Sequence, residues 1–171
     1  MEKQKDNYVI WIEFDDKFMD FLNSKCKELD KYGLAPGFRP PHLTMTFVED
    51  CDEEKLIQFT KDFFKKKQLN LNISMIGKFS GGFLLYVPKV TDELLKYHRE
   101  YCEGVSEFGD LAWDLYTPEN WTPHIALTGA LSEEDAATAF SILQKNFSGA
   151  EVSMKKIAIR KNGKLLAEFE V

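Results

Sequence analysis

The sequence predicts an α+β protein of two similar lobes, and three observations predict it. Short runs rich in β-branched and aromatic residues alternate with amphipathic stretches at helical spacing. The order strand, helix, long loop, histidine strand, helix, strand occurs twice along the chain. Each copy also carries a Pro-His pair at the head of its histidine strand, in Arg39-Pro-Pro-His-Leu-Thr-Met45 and in Trp121-Thr-Pro-His-Ile-Ala-Leu127. The expected architecture is bilobal. Two lobes of antiparallel sheet, built from approximately residues 8–79 and 83–171, are related by a pseudo-twofold axis, with helices packed outside and a central cleft between. Residues 1–171 form a single domain.

Taken in order, Tyr8 to Phe14 reads as a buried strand. Asp15 or Asp16 then caps a helix whose apolar face is Phe18, Phe21, Leu22, Cys26 and Leu29. A turn-rich loop, Gly33 to Pro41, leads into the first histidine strand, which runs to about Val48. Leu56, Phe59 and Phe63 mark a second helix that ends in the basic run Lys65 to Lys67, as the helix dipole favours. Leu71 to Phe79 and Phe83 to Val87 form a hairpin around Ser80-Gly-Gly82. Thr91 or Asp92 opens a third helix, and the stretch from Phe108 to Pro123 shows no periodicity. After the second histidine strand, Ser132-Glu-Glu-Asp135 resembles a capping box. Val152 to Ile159 and Leu165 to Val171 close the chain as a hairpin on Asn162-Gly163, a strong type I′ turn signal.

The chain of 171 residues is 44% hydrophobic and 13% aromatic, enough to bury a sizeable core. No apolar run reaches the roughly 18 residues of a membrane span, and the N-terminus has no secretion-signal core. The expectation is a cytoplasmic, monomeric protein. Cys26, Cys51 and Cys102 are scattered, which suggests neither a disulfide framework nor a metal site. A net charge of −6 argues against binding long duplex nucleic acid, which demands a basic stripe. A small anionic ligand held by a few local cations is compatible with it.

Three histidines occur in the chain, and two of them, His42 and His124, hold equivalent places. Strand alternation puts His42, Thr44 and Thr46 on one face, and likewise His124, Ala126 and Thr128. Two imidazoles in one cleft can coexist as a neutral base and a protonated acid, the minimum equipment for phosphodiester transfer without a metal. The Thr44 hydroxyl is placed to donate to a phosphoryl oxygen. The bland alternative is a pair of buried, hydrogen-bonded histidines. His98, on a helix stripe without such a motif, is read as a packing residue.

These segments resemble the paired His-x-Thr/Ser-x motifs of the two-histidine phosphoesterases, which include the 2′-5′ RNA ligase-like proteins and cyclic phosphodiesterases. Pro41-His-Leu-Thr-Met45 fits the first motif, and Pro123-His-Ile-Ala-Leu127 fits the second except at Ala126, where the family usually has threonine or serine. The resemblance implies His42 and His124 as catalytic acid and base, hydroxyls on the phosphate, and no metal or other cofactor. It implies a small nucleotide or an RNA 3′ end as ligand, with a 2′,3′-cyclic phosphate or a 2′-5′ linkage as the bond attacked. Ala126 leaves open a second reading, a nucleotide- or RNA-end-binding module with weak or lost catalysis.

Thr128 lies on the expected face about 7 Å beyond Ala126, and is the candidate to replace the missing phosphate-binding hydroxyl through a strand shift or a bridging water. Arg39, Tyr86, Tyr116 and Trp121 are candidate substrate contacts, and Lys78 a further cation. Trp113, Tyr116 and Trp121 flank or lie in the aperiodic stretch, where rings can stack on a base or simply pack in the core.

Overall fold

Four helices cap themselves as the sequence directs. The side chains of Asp15, Asp52, Thr91 and Ser132 accept hydrogen bonds from the backbone N–H groups of Phe18, Lys55, Leu94 and Asp135, satisfying donors that a helix start leaves open. The computed structural model describes residues 5–35 and 40–171. Among these the elements run β1 (Asn7–Phe14), α1 (Asp16–Asp30), β2 (Leu43–Glu49), α2 (Glu53–Lys66), β3 (Asn70–Lys78), β4 (Leu84–Pro88), α3 (Asp92–Val105), β5 (Asp110–Ala112), a 3-10 turn (Asp114–Tyr116), β6 (Ile125–Ala126), α4 (Glu133–Gln144), β7 (Ala150–Lys161) and β8 (Lys164–Glu170). No helix among the described residues is long and apolar enough to cross a membrane.

All strand pairs are antiparallel. The hydrogen-bonded path is β1-β2-β6-β4-β3-β7-β8, with β5 on β2, and it closes because β7 also pairs with β1. The long β7 strand makes this possible: Ala150–Ser153 pair with β3, whereas its later residues lie between β1 and β8. The two stretches 8–79 and 83–171 share this sheet and exchange elements within it. The closing hairpin β7–β8 adds to β1, α3 packs against β2 and β5, and Phe21 of α1 lies against Tyr86 of β4. Element order alone carries no record of such exchanges between halves.

The sheet has two unlike faces. Helices cover one, which holds Ile10, Ile12, Leu43, Met45, Tyr86, Ile125, Leu127, Ile157 and Ile159 in the main core. The other carries a small cluster of Val9, Trp11 and Ala158, with Phe47 against it. A β-bulge in β2 shifts which residues reach this second face. Ile10 pairs with Thr46 but Trp11 pairs with Thr44, so Met45 is the extra residue. His42 and Thr44 stay on the open face, whereas Thr46 falls with Ile10 on the helix side, fully buried, with its hydroxyl donating to the Tyr116 carbonyl at 3.3 Å. The expected common face of His42, Thr44 and Thr46 is corrected accordingly, and Phe47 takes the open-face position after Thr44.

Candidate active site

The site begins at the junction of the two histidine strands, where Leu43 pairs with Ile125. Both are core residues, so their neighbours on each strand face the other way. One residue further along each strand, His42 stands opposite Ala126 and Thr44 opposite His124. The two histidines are thus diagonal neighbours on one face, a relation that separates Cα atoms by about 7–8 Å and side chains by less. The positive charge that His124 would carry is felt at His42.

Both rings are oriented in the same way. The Nδ1 of His42 lies 2.7 Å from the Pro40 carbonyl oxygen, and the Nδ1 of His124 lies 2.7 Å from that of Thr122. In each case the acceptor is two residues upstream, with a proline between. Proline holds its own φ near −65°, which fixes how the preceding carbonyl is presented to the following side chain. The Pro-His pair is thereby more than a strand start. With Nδ1–H donated to a carbonyl, proton exchange by either ring falls to Nε2.

Burial pulls the pKa of His42 down to about 4, with the charges of His124 and Arg160 adding to it and the Pro40 bond opposing. Burial also lowers His124, against the Thr122 bond. The surroundings of the two rings differ. His42 is stacked on Trp11 with centroids 3.5 Å apart and planes 8° from parallel. His124 meets Phe79 edge-on at 4.9 Å and Tyr116 at 6.2 Å. Phe47 and the exposed Trp113 continue the aromatic wall beyond Tyr116.

A model of the 2′-5′ RNA ligase superfamily matches residues 24–164. The chain belongs to this superfamily. Solved structures similar to it include E. coli LigT without ligand (TM-score 0.61, 11% identity, 98% of each chain covered). TT0787 of Thermus thermophilus also resembles it (TM-score 0.61, 13% identity, 96% of this chain and 97% of that one). A third is E. coli LigT complexed with 3′-AMP (TM-score 0.58, 11% identity, 98% and 99% covered). At such identities the likeness is one of fold. No curated protein matches the sequence.

Within this superfamily fold, the other residues singled out from the sequence divide sharply. Tyr116 borders His124, but three expected contacts are corrected. Tyr86 pairs with Ile125 and so faces the helices, fully buried, its hydroxyl donating to the Leu143 carbonyl at 2.6 Å. Leu85 and Val87 hold the open face of β4 instead. Trp121 is buried behind β2, where its Nε1–H donates to the Thr44 carbonyl at 3.1 Å and its ring stacks on His98 at 3.9 Å. The His98 Nε2 lies 2.7 Å from the Met45 carbonyl. Side chains thus occupy carbonyls at the bulge, where ladder pairing is disrupted.

Thr128 is the third correction. Fully buried, it accepts from the Leu84 N–H at 2.9 Å and donates to the Gly129 carbonyl at 2.9 Å, so its hydroxyl stands in for a ladder carbonyl and is spent on backbone. Lys78 is paired with Glu133 at 2.6 Å. Arg39 lies outside the described residues. His98 packs as expected, at 1% exposure. Sequence reasoning missed Trp11, Phe79 and Arg160. A signal for Trp11 existed: it alternates with core residues and shares its strand face with Glu13, which marks that face as unlike the core.

Among the described residues no three His, Cys, Asp or Glu side chains cluster as metal ligands. Among the described residues, the open face at the Leu43–Ile125 pair carries the imidazoles of His42 and His124 and the Thr44 hydroxyl, a set suited to moving protons around a bound phosphate.

Proposed function

We propose that this superfamily member is a phosphodiesterase that opens a small nucleotide or RNA-end phosphodiester, with a 2′,3′-cyclic phosphate as the most economical substrate, by acid–base catalysis between His42 and His124. The observation that carries this reading is the Leu43–Ile125 pairing, which puts both imidazoles on one sheet face with matching Nδ1 bonds. In the reaction one Nε2 takes a proton from water as its oxygen forms a bond to phosphorus. The other gives a proton to the ribose oxygen as its bond to phosphorus breaks. Thr44, opposite His124, donates to a non-bridging oxygen while charge grows there. The step balances on protons alone, so no metal is assigned to it. E. coli LigT has been solved with 3′-AMP, phosphate, NADP+ and ATP, ligands in keeping with a nucleotide phosphate here.

One observation favours a second reading, a nucleotide- or RNA-end-binding module with weak or lost catalysis. Opposite His42 stands Ala126, which offers no hydroxyl where Thr44 offers one to the other half of the site. An assay panel of 2′,3′-cyclic mononucleotides and 2′-5′ dinucleotides, with and without EDTA, separates the two. Turnover that survives chelation and disappears in His42→Ala and His124→Ala supports the enzyme. Binding of the same compounds with no product supports the module. Activity that chelation removes and zinc or manganese restores overturns the proposed mechanism.

A further inference from the structure

We propose that Arg160, held behind Trp11 by the turn between β7 and β8, is a positioning residue that acts through the indole to keep His42 the proton acceptor of the pair and leave His124 as the proton donor. This rests on the acid–base reading above and assigns its two roles.

The geometry starts in the turn. Asn162 and Gly163 both take positive φ, 48° and 79°, as a two-residue hairpin of this type requires. The Gly163 carbonyl then accepts from Nε and Nη2 of Arg160 at 3.2 and 2.8 Å. That fork fixes the guanidinium, whose central carbon lies 4.6 Å from the centre of the Trp11 ring. Trp11 is on β1, between β2, which leads from His42, and β7, which carries Arg160. The indole is thus shared by a permanent cation and an imidazole that would become one.

The sign of the effect follows from that sharing. An indole face alone attracts an imidazolium and would favour protonation of His42. With a guanidinium already on the same ring, a second cation gains less from the indole and is repelled by the first. Stacking also strips water from His42, which disfavours the charged form again. Among the described residues, His124 from β6 also faces His42, as does Glu13 from β1, which the β1–β2 register puts opposite it. Glu13 would favour protonation, but it sits 3.8 Å from Lys156 of β7, which offsets its charge. His124 has uncharged rings, Phe79 and Tyr116, as its aromatic neighbours.

The test is NMR titration of the histidine rings in the wild-type protein and in Arg160→Met, Arg160→Lys and Trp11→Phe. Arg160→Met should raise the His42 midpoint by roughly half to one and a half units, the span for removing a unit charge at this distance in a partly wet site, and leave His124 within a few tenths. Arg160→Lys, which keeps the charge, should restore most of the wild-type value. In the kcat/KM profile the acidic limb should move up by the same amount in Arg160→Met while the alkaline limb stays. A His42 midpoint unchanged in Arg160→Met, or a shift confined to His124, overturns the assignment. Because the midpoints are read without substrate, they decide this proposal even if every assayed phosphodiester proves inert, which would instead count against the proposed activity. Trp11→Phe keeps a ring against both groups and should shift His42 less than Arg160→Met does. The reverse order would also overturn the role given to Arg160.

Discussion

Thr44 of β2 stands directly opposite His124 of β6, a relation set by the single Leu43–Ile125 pair between the strands. By the same register His42 faces Ala126. The two halves of the site are therefore matched in backbone and imidazole and unmatched in hydroxyl.

That asymmetry gives the first prediction. Ala126→Thr adds a donor facing His42 in a residue suited to strands, and should raise turnover, while Thr44→Ala should lower it by about 10²–10³, the usual effect of losing one such donor. The hydroxyl must count for more in the transition state than in the bound substrate for this to register in the rate. Steady-state assays and titration with a non-hydrolysable nucleotide distinguish the outcomes. Tighter binding with product at background would favour the binding module. No change in either would mean that position 126 does not meet the ligand.

The pH dependence of kcat/KM should peak on the acidic side of neutrality. The proposed catalysis requires one imidazole neutral and one charged, and in the free protein both fall below the ordinary 6.5, His42 to about 4. The productive fraction is lost below about 4, as both become charged, and lost again as pH rises through the pKa of the second ring. A bound phosphate anion favours both charged forms, so the kcat profile should lie at higher pH than that of kcat/KM. Initial rates at constant ionic strength test this, and a kcat/KM maximum above pH 7 would contradict it.

Stability should fall in acid for a related reason. His98 is buried with its pKa lowered to about 4, chiefly by desolvation, from 6.5. The folded protein then binds fewer protons than the unfolded chain, so the stability it has above pH 6.5 is lost as pH falls towards 4. For His98 alone the full loss is about 3 kcal/mol. His98→Gln, which keeps a donor for the Met45 carbonyl and does not titrate, should flatten the dependence of urea unfolding on pH over this window. An equal slope in the variant would show that His98 is not its source.

Thr128→Val offers a check on the corrected role of Thr128. Without the hydroxyl the Leu84 N–H loses its buried acceptor, at a cost of about 1–3 kcal/mol. Well below the melting temperature, kcat/KM should remain within a few-fold of wild type. A loss comparable to that of Thr44→Ala, with stability intact, would return Thr128 to the phosphate.

Trp121→Phe should act on both properties. It leaves the Thr44 carbonyl without the indole N–H, again a cost of about 1–3 kcal/mol, and removes a support directly behind a site residue. Lower kcat accompanying the lower Tm is the expected pairing. Unchanged kcat would show that the bulge holds Thr44 without it.

Local chemistry alone determined much of this molecule. Asp15, Asp52, Thr91 and Ser132 start helices because their side chains satisfy nearby N–H groups, and Asn162-Gly163 turns because both residues tolerate positive φ. The two Pro-His pairs were equally legible, since the proline and the carbonyl that orients each ring are adjacent in sequence. Tertiary structure decided the rest. One bulged residue, Met45, sent Thr46 to the helix side, and no pattern of period two can register a slip that exists only relative to β1. Whether Tyr86 or Leu85 met the open face depended on its register with β6, and Trp121 became a support for Thr44 only because α3 brought His98 beneath it. The stack of Arg160, Trp11 and His42 joins three strands far apart in the chain, and long-range contacts of that kind have no local sequence signature.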